Sequence, residues 1–148
     1  MPGLVKEMAE KEPNGINLLI NNAGIARDDA TKFSTNGTPD MKDPVAISEH
    51  FLKSDVTSWL DTYQTNVVGG FFMSMAFLPL LAKGQKNAKD GYTSSVINTS
   101  SISGAMKGSS NGQFAYAASK AAFTHVSRML ATTFKDTKVR VNVIAPGL

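Results

Sequence analysis

The chain has 148 residues, room for one domain with a sizeable core, and its 42% hydrophobic and 18% charged residues are a globular composition. Its net charge of +3 is mild and no Lys/Arg run concentrates it, which argues against nucleic acid or a membrane surface as partner. The lack of cysteine excludes disulfides, thiolate metal sites and cysteine nucleophiles. No basic region precedes an apolar core in Met1-Pro2-Gly3-Leu4-Val5-Lys6-Glu7, so the sequence suggests a cytoplasmic setting.

Residues 2–12 read as a helix whose Leu4, Val5 and Met8 share a face, stopped by Pro13-Asn14-Gly15. Residues 16–20, apolar on both faces, predict a strand inside a parallel sheet. The strand opens into Asn21-Asn22-Ala23-Gly24, and ligands of open α/β sheets sit at such carboxyl ends. Residues 25–54 predict a long excursion with one short helix near 45–52, and the acidic pair Asp28 and Asp29 reads as solvated loop. Asp55 is placed to cap a helix running to about Ala82, with Trp59 in the core. The run 67–82 is short for a membrane span and holds Gly69, Gly70 and Pro79, so a buried helix is expected. Gly69-Gly70 suits a place where another backbone packs close.

A polar loop is expected over 83–93, then a strand over 95–99 released into Ser100-Ser101-Ile102-Ser103-Gly104. A Gly/Ser loop leads to a helix ending near Phe134, with Ala118, Ala122, Val126, Met129 and Leu130 facing inward. A third strand over 139–145 is cut by Pro146-Gly147. The alternation of helix and strand predicts right-handed parallel crossovers and an α/β layered sheet. His50 and His125 lack partners at metal spacing; no metal site is expected.

The last helix begins with Tyr116-Ala117-Ala118-Ser119-Lys120. Four-residue spacing puts the phenol and the ammonium on one helix face, one turn apart. A fixed ammonium beside a phenol favours the phenolate, which suits acid–base work. Asn22, Ser101, Tyr116, Lys120 and Pro146-Gly147 all fall where strands end or in the adjoining helix, so they can converge on one sheet edge.

Asn21-Asn22-Ala23-Gly24, Asn66 within a long helix, Asn98-Thr99-Ser100-Ser101, Tyr116-x-x-x-Lys120 and Pro146-Gly147, in that order, resemble the short-chain dehydrogenase/reductase family. The resemblance implies an incomplete Rossmann-like, doubly wound parallel sheet of about three strands with flanking helices. It implies a nicotinamide-dependent oxidoreductase, using NADP or NAD with NADP preferred, acting on a small carbonyl or alcohol substrate. Tyr116 would be the general acid in reduction and the base in oxidation. Lys120 would assist its ionisation and hold the nicotinamide ribose. Ser101 would bond the substrate carbonyl, and Asn66 would bind a water that relays protons toward Lys120. Asn22, Ala23 and Gly24 would lie along the adenosine side of the cofactor, and Pro146 and Gly147 near the nicotinamide. Ser103 is a second candidate for the hydroxyl. The stretch 125–147 is similar to 3-oxoacyl-carrier-protein reductases in particular.

The family also opens with a Gly-rich strand-to-helix turn that receives the pyrophosphate. No such turn precedes Ile16, and the chain ends just past Pro146-Gly147. Residues 1–148 are therefore expected to be a partial domain, without the Gly-rich half and without the substrate loop and last strand. The strand at 16–20 is then expected at an open edge with no charged or proline guard. Two functions follow: a reductase fragment of low activity, or a non-catalytic module pairing with a full-length subunit. In a full-length form, the helices near Phe71 and Lys120 would build a homo-oligomer.

Overall fold

Three short strands, β1 (Leu18–Asn21), β2 (Ser95–Thr99) and β3 (Arg140–Ile144), form one parallel sheet in the order β1-β2-β3. The computed structural model describes residues 2–89 and 91–147; of the expected polar loop, Asp90 lies outside them. In register, Leu19 stands beside Val96 and Val96 beside Val141. Parallel neighbours need long crossovers, and helices supply them.

The helices are α1 (Pro2–Lys11), α2 (Phe33–Asn36), α3 (Pro44–Phe51), α4 (Val56–Tyr63), α5 (Gly70–Asn87) and α6 (Phe114–Thr133). Asp43 and Asp55 cap α3 and α4, accepting from Val45 N at 2.9 Å and Ser58 N at 3.1 Å. Between α4 and α5 the chain widens into a π-helical segment, Gln64–Gly69. Helical backbone thus runs unbroken from Val56 to Asn87, five residues past the expected end, and the loop begins correspondingly later. This stretch is long and apolar enough to cross a membrane; here Phe77, Leu80 and Leu81 bury against Val96, Leu130, Phe134 and Val139 as the core. Burial of such side chains stabilises by roughly 1.5–3 kcal/mol each.

α5 packs on β1 and β2, and α6 on β2 and β3. Between helices and sheet runs a buried polar chain. Asn21 Nδ2 donates to Asn98 Oδ1 at 2.8 Å and Ser74 Oγ at 3.0 Å, and Asn98 Nδ2 donates to Ser127 Oγ at 2.8 Å. Ser74 and Ser127 donate in turn to carbonyls of their own helices. A network of this kind fixes strand register, because a one-residue slip would break the bonds of both amides. Asn21 is therefore a structural residue.

The other side of the sheet is open. Burial alternates along β1 and β3, and Leu18, Ile20 and Ile144 remain 50%, 54% and 48% exposed. β1 lies at an edge, as the sequence led one to expect.

Two packing expectations need correction. α6 buries Ala115, Ser119, Lys120, Phe123, Ser127 and Leu130, while Met129 is 57% exposed. Leu130 is buried, Val126 packs against the core and Ala118 and Ala122 are half-buried, as expected; what hydrophobicity missed is that Ser119 and Ser127 satisfy their hydroxyls on the Tyr116 and Phe123 carbonyls and so bury freely. Gly70 makes room for the Phe123 ring, not for a backbone, and Gly69 meets only its own helix. The close backbone approach lies elsewhere: a Cβ on Gly84 would overlap the Ile16 carbonyl.

Candidate active site

Each strand releases its chain at the same sheet end. Asn22-Ala23-Gly24 follows β1, Ser100-Ser101 follows β2, and Ala145-Pro146-Gly147 follows β3. Ser100 N donates to Ile144 O at 2.8 Å and Ile102 N to Pro146 O at 2.9 Å, which locks the last two exits together. α6 lies beneath with Tyr116 and Lys120. A cavity of about 300 Å³ results, lined by Asn22, Gly24, Thr99, Ser101, Tyr116, Lys120 and Pro146 among others.

Lys120 is only 4% exposed. Its Nζ donates to the Thr99 carbonyl at 3.0 Å and lies 5.7 Å from the Tyr116 ring centre. No carboxylate faces it among the described residues, whose only ion pair is Lys11–Glu7. Desolvation by burial therefore holds its ammonium below the usual lysine range. Gly24 leaves the space above it free: a Cβ there would stand 3.1 Å from Lys120 Nζ and 3.4 Å from Asn66 Oδ1. Gly104 lets the turn after Ser101 rest on α6, since a Cβ would come within 2.6 Å of Ala121 N.

Ser101 Oγ accepts from Ser103 N at 3.2 Å and lines the cavity with Tyr116 and Lys120. Ser103 is engaged differently, sharing a 2.6 Å hydrogen bond with Ser110 Oγ. Of the two candidate hydroxyls, Ser101 is the one beside the pair.

Asn66 and Ala23 border a neighbouring hollow of about 380 Å³, not the cavity itself. Asn66 is buried in the π-helical segment and its side chain is committed. Oδ1 accepts from Ile25 N at 2.8 Å, while Nδ2 donates to Ile25 O at 2.8 Å and Ser119 Oγ at 2.9 Å. Both amide protons are used, so the side chain has no donor left for a water. Gly147 packs its backbone on Ile102.

Two residues of interest escaped the sequence reading. Thr99 Oγ1 is buried with no hydrogen-bond partner among the described residues, and its residue lines the cavity. Asp28 is no solvated loop residue: it is 4% exposed, and its carboxylate accepts from Ala115 N at 2.9 Å and Tyr116 N at 3.1 Å. No local spacing announces a partner 87 positions away.

A parallel sheet with flanking helices, whose exits gather a hydroxyl, a phenol and a buried ammonium, defines an α/β protein of Rossmann-like type. Residues 3–148 match the family described as short chain dehydrogenase, and the chain belongs to it. It is 34% identical to the short-chain dehydrogenase/reductase VdtF of Byssochlamys spectabilis over 164 aligned positions, covering 99% of this chain and 52% of that protein. It is 31% identical to the 3-oxoacyl-[acyl-carrier-protein] reductase of Bos taurus, covering 95% and 47%. The fold is similar to that of an NADPH-bound carbonyl reductase from chicken fatty liver, with a TM-score of 0.75 at 25% identity, covering 98% and 52%. The chain thus spans about half the length of these proteins.

Proposed function

We propose that the chain carries the proton-transfer half of a site that reduces a small carbonyl, or oxidises the corresponding alcohol, with NADP(H) or NAD(H). The observation that carries this reading is the single cavity shared by Ser101, Tyr116 and Lys120. Two features suit a nicotinamide nucleotide there: the gap that a Cβ on Gly24 would fill, and the unpartnered Thr99 hydroxyl. Such a cofactor, when bound, supplies or accepts the hydride. Asn22, Gly24, Lys120 and Pro146 would hold it, with Ala23 and Gly147 shaping the loops around them.

This leaves a proton, an orientation and a charge for the protein to manage. Tyr116 gives its phenolic proton to the carbonyl oxygen in reduction and takes it back in oxidation. Ser101 donates to the same oxygen as charge develops. Lys120 steadies the phenolate and would help to hold the cofactor's ribose when it is bound, its burial strengthening both interactions. Asn66 has its side-chain donors spent, so a water at the relay would donate to it, at the lone pair left on Oδ1 or at its backbone carbonyl. The similarity to 3-oxoacyl-carrier-protein reductases extends to the chemistry of a 3-oxo group, a ketone that this site would suit. The chain is read as part of a larger domain whose remainder covers the open sheet face, so that alone it has low activity.

Fluorescence titration of NADPH against the purified chain, paired with turnover of a small ketone, tests this. Weak binding and slow turnover that vanishes in Tyr116→Phe are expected. Turnover that survives Tyr116→Phe would refute the acid–base assignment, and tight binding with rapid turnover would refute low activity alone.

A second reading is a non-catalytic module that pairs with a full-length reductase subunit. It is favoured by Val56, Leu60, Val68 and Phe72, which recur every four residues or a multiple of four along the long helix and are 72%, 64%, 43% and 49% exposed. Co-purification with an intact reductase supports it, and a soluble isolated monomer counts against it.

A further inference from the structure

The first N–H groups of a helix lack intrahelical acceptors, and a side chain at the N-cap ordinarily takes those of the second and third helical residues. In α6 these are Ala115 and Tyr116. The residue at the cap, Gln113, makes no such bond. Asp28 makes both instead, one carboxylate oxygen to each amide, at 2.9 Å and 3.1 Å. The carboxylate is buried without a cationic partner among the described residues, so these two amides and the positive end of the helix are its counter-charge.

Asp28 is itself held in place. Its carbonyl accepts from Thr31 N at 3.1 Å and Lys32 N at 3.0 Å. The turn so formed is fastened to the loop ahead of α6: Thr31 Oγ1 donates to Gly112 O at 2.9 Å, and Phe33 N to Asn111 O at 2.9 Å. Gly112 has φ +82°, and a Cβ there would overlap the Thr31 carbonyl. His50 bonds the same Thr31 carbonyl at 2.8 Å, and Phe51 packs edge-on against Phe114 at 4.9 Å. The excursion over residues 25–54 is thereby a clamp on the first turn of α6.

We propose that Asp28 is a positioning residue: by capping α6 from a distant loop it sets where Tyr116 stands relative to Lys120. The inference deepens the acid–base reading of Tyr116 and rests on it. In this geometry each amide has its own carboxylate oxygen. Held in the same place, an asparagine would set its NH₂ where one of those oxygens stands, facing an N–H donor.

The test compares the full chain with Asp28→Asn and Asp28→Ala by amide hydrogen exchange and by the NMR contact between the Tyr116 ring and the Lys120 side chain. In Asp28→Ala, exchange at Ala115 and Tyr116 rises about tenfold or more. The amides of Val96 and Asn98 in β2 stay protected, and the ring contact weakens. In Asp28→Asn one of the two amides is released and the other kept. With NADPH and a ketone, kcat falls in the same order while KM stays nearly constant. Equal exchange at Ala115 and Tyr116 in all three proteins overturns the proposal. If Asp28→Ala does not fold, Asp28→Asn decides: one amide released supports the cap, neither released refutes it. Tyr116→Phe separates the two readings, since it keeps the ring and the cap and removes only the acid. Undiminished turnover there sinks the acid–base reading, while the exchange data still decide the cap.

Discussion

Asn66 and Ile25 meet side chain to backbone, with Asn66 Oδ1 accepting from Ile25 N and Nδ2 donating to Ile25 O, each at 2.8 Å. A third bond, to Ser119 Oγ at 2.9 Å, ties the pair to α6. One residue of the π-helical segment thus binds the exit of β1 to the helix that carries Tyr116. Asn66→Ala would leave the half-buried Ile25 groups without their partner and should cost about 1–3 kcal/mol. Chemical denaturation with an unchanged slope would show it; a shift under half a kcal/mol would mean that the loop re-pairs elsewhere.

Lys120 is expected to trade stability for function. Its ammonium is buried with one protein acceptor, which lowers its pKa by desolvation. The unfolded chain therefore binds the proton more tightly than the folded one. The penalty is full below the folded pKa and disappears as pH rises through it toward the ordinary lysine value. Lys120→Met keeps the apolar stem and should be as stable as wild type or more so near neutral pH. That advantage should shrink as the pH is raised, while ketone reduction is lost. Thermal unfolding of both proteins across a pH series reads the sign directly.

The glycines separate site from scaffold. Gly24→Ala presses on the flexible end of Lys120, so stability should change by within about 1 kcal/mol while cofactor affinity falls. Gly84→Ala presses on the backbone of Ile16, which cannot yield, and should cost about 2–3 kcal/mol. Similar melting temperatures for the two variants would contradict this distinction.

The open sheet face carries its own expectation. Leu18 and Ile20 are half exposed on an edge strand without a charged guard. Ile20→Lys should reduce self-association, seen by light scattering, at little cost in stability. Unchanged association would place the sticky surface elsewhere, with Val56, Leu60 and Phe72 the next to charge.

Strand positions, the Asp55 cap and the gathering of Ser101, Tyr116 and Lys120 were legible because each rests on a local pattern: an apolar run, a capping aspartate, a four-residue spacing. The inward face of α6 was legible only in part: Val126 and Leu130 do face the core, but buried serines that bond their own helix look polar in any hydrophobicity count. The π-helical widening at Gln64–Gly69 was hidden too, since nothing in Gln64-Thr65-Asn66-Val67-Val68-Gly69 breaks helical periodicity. Asn66 was singled out as a site candidate, yet its bonds to Ile25 and Ser119 depend on how β1 and α6 approach. Asp28 shows the limit most sharply. An acidic residue in a loop is usually solvated, and only the tertiary fold brings it to a helix end.

The central claim is that the cavity beside Tyr116 and Lys120 takes a nicotinamide nucleotide. NADP⁺ titrated into the isotope-labelled chain, followed by amide chemical shifts, tests it most directly. The account predicts saturable, weak perturbations at Gly24, Thr99, Ser101, Tyr116 and Lys120 that diminish in Lys120→Met. Perturbations confined to other surfaces, or equal in the two proteins, would contradict it.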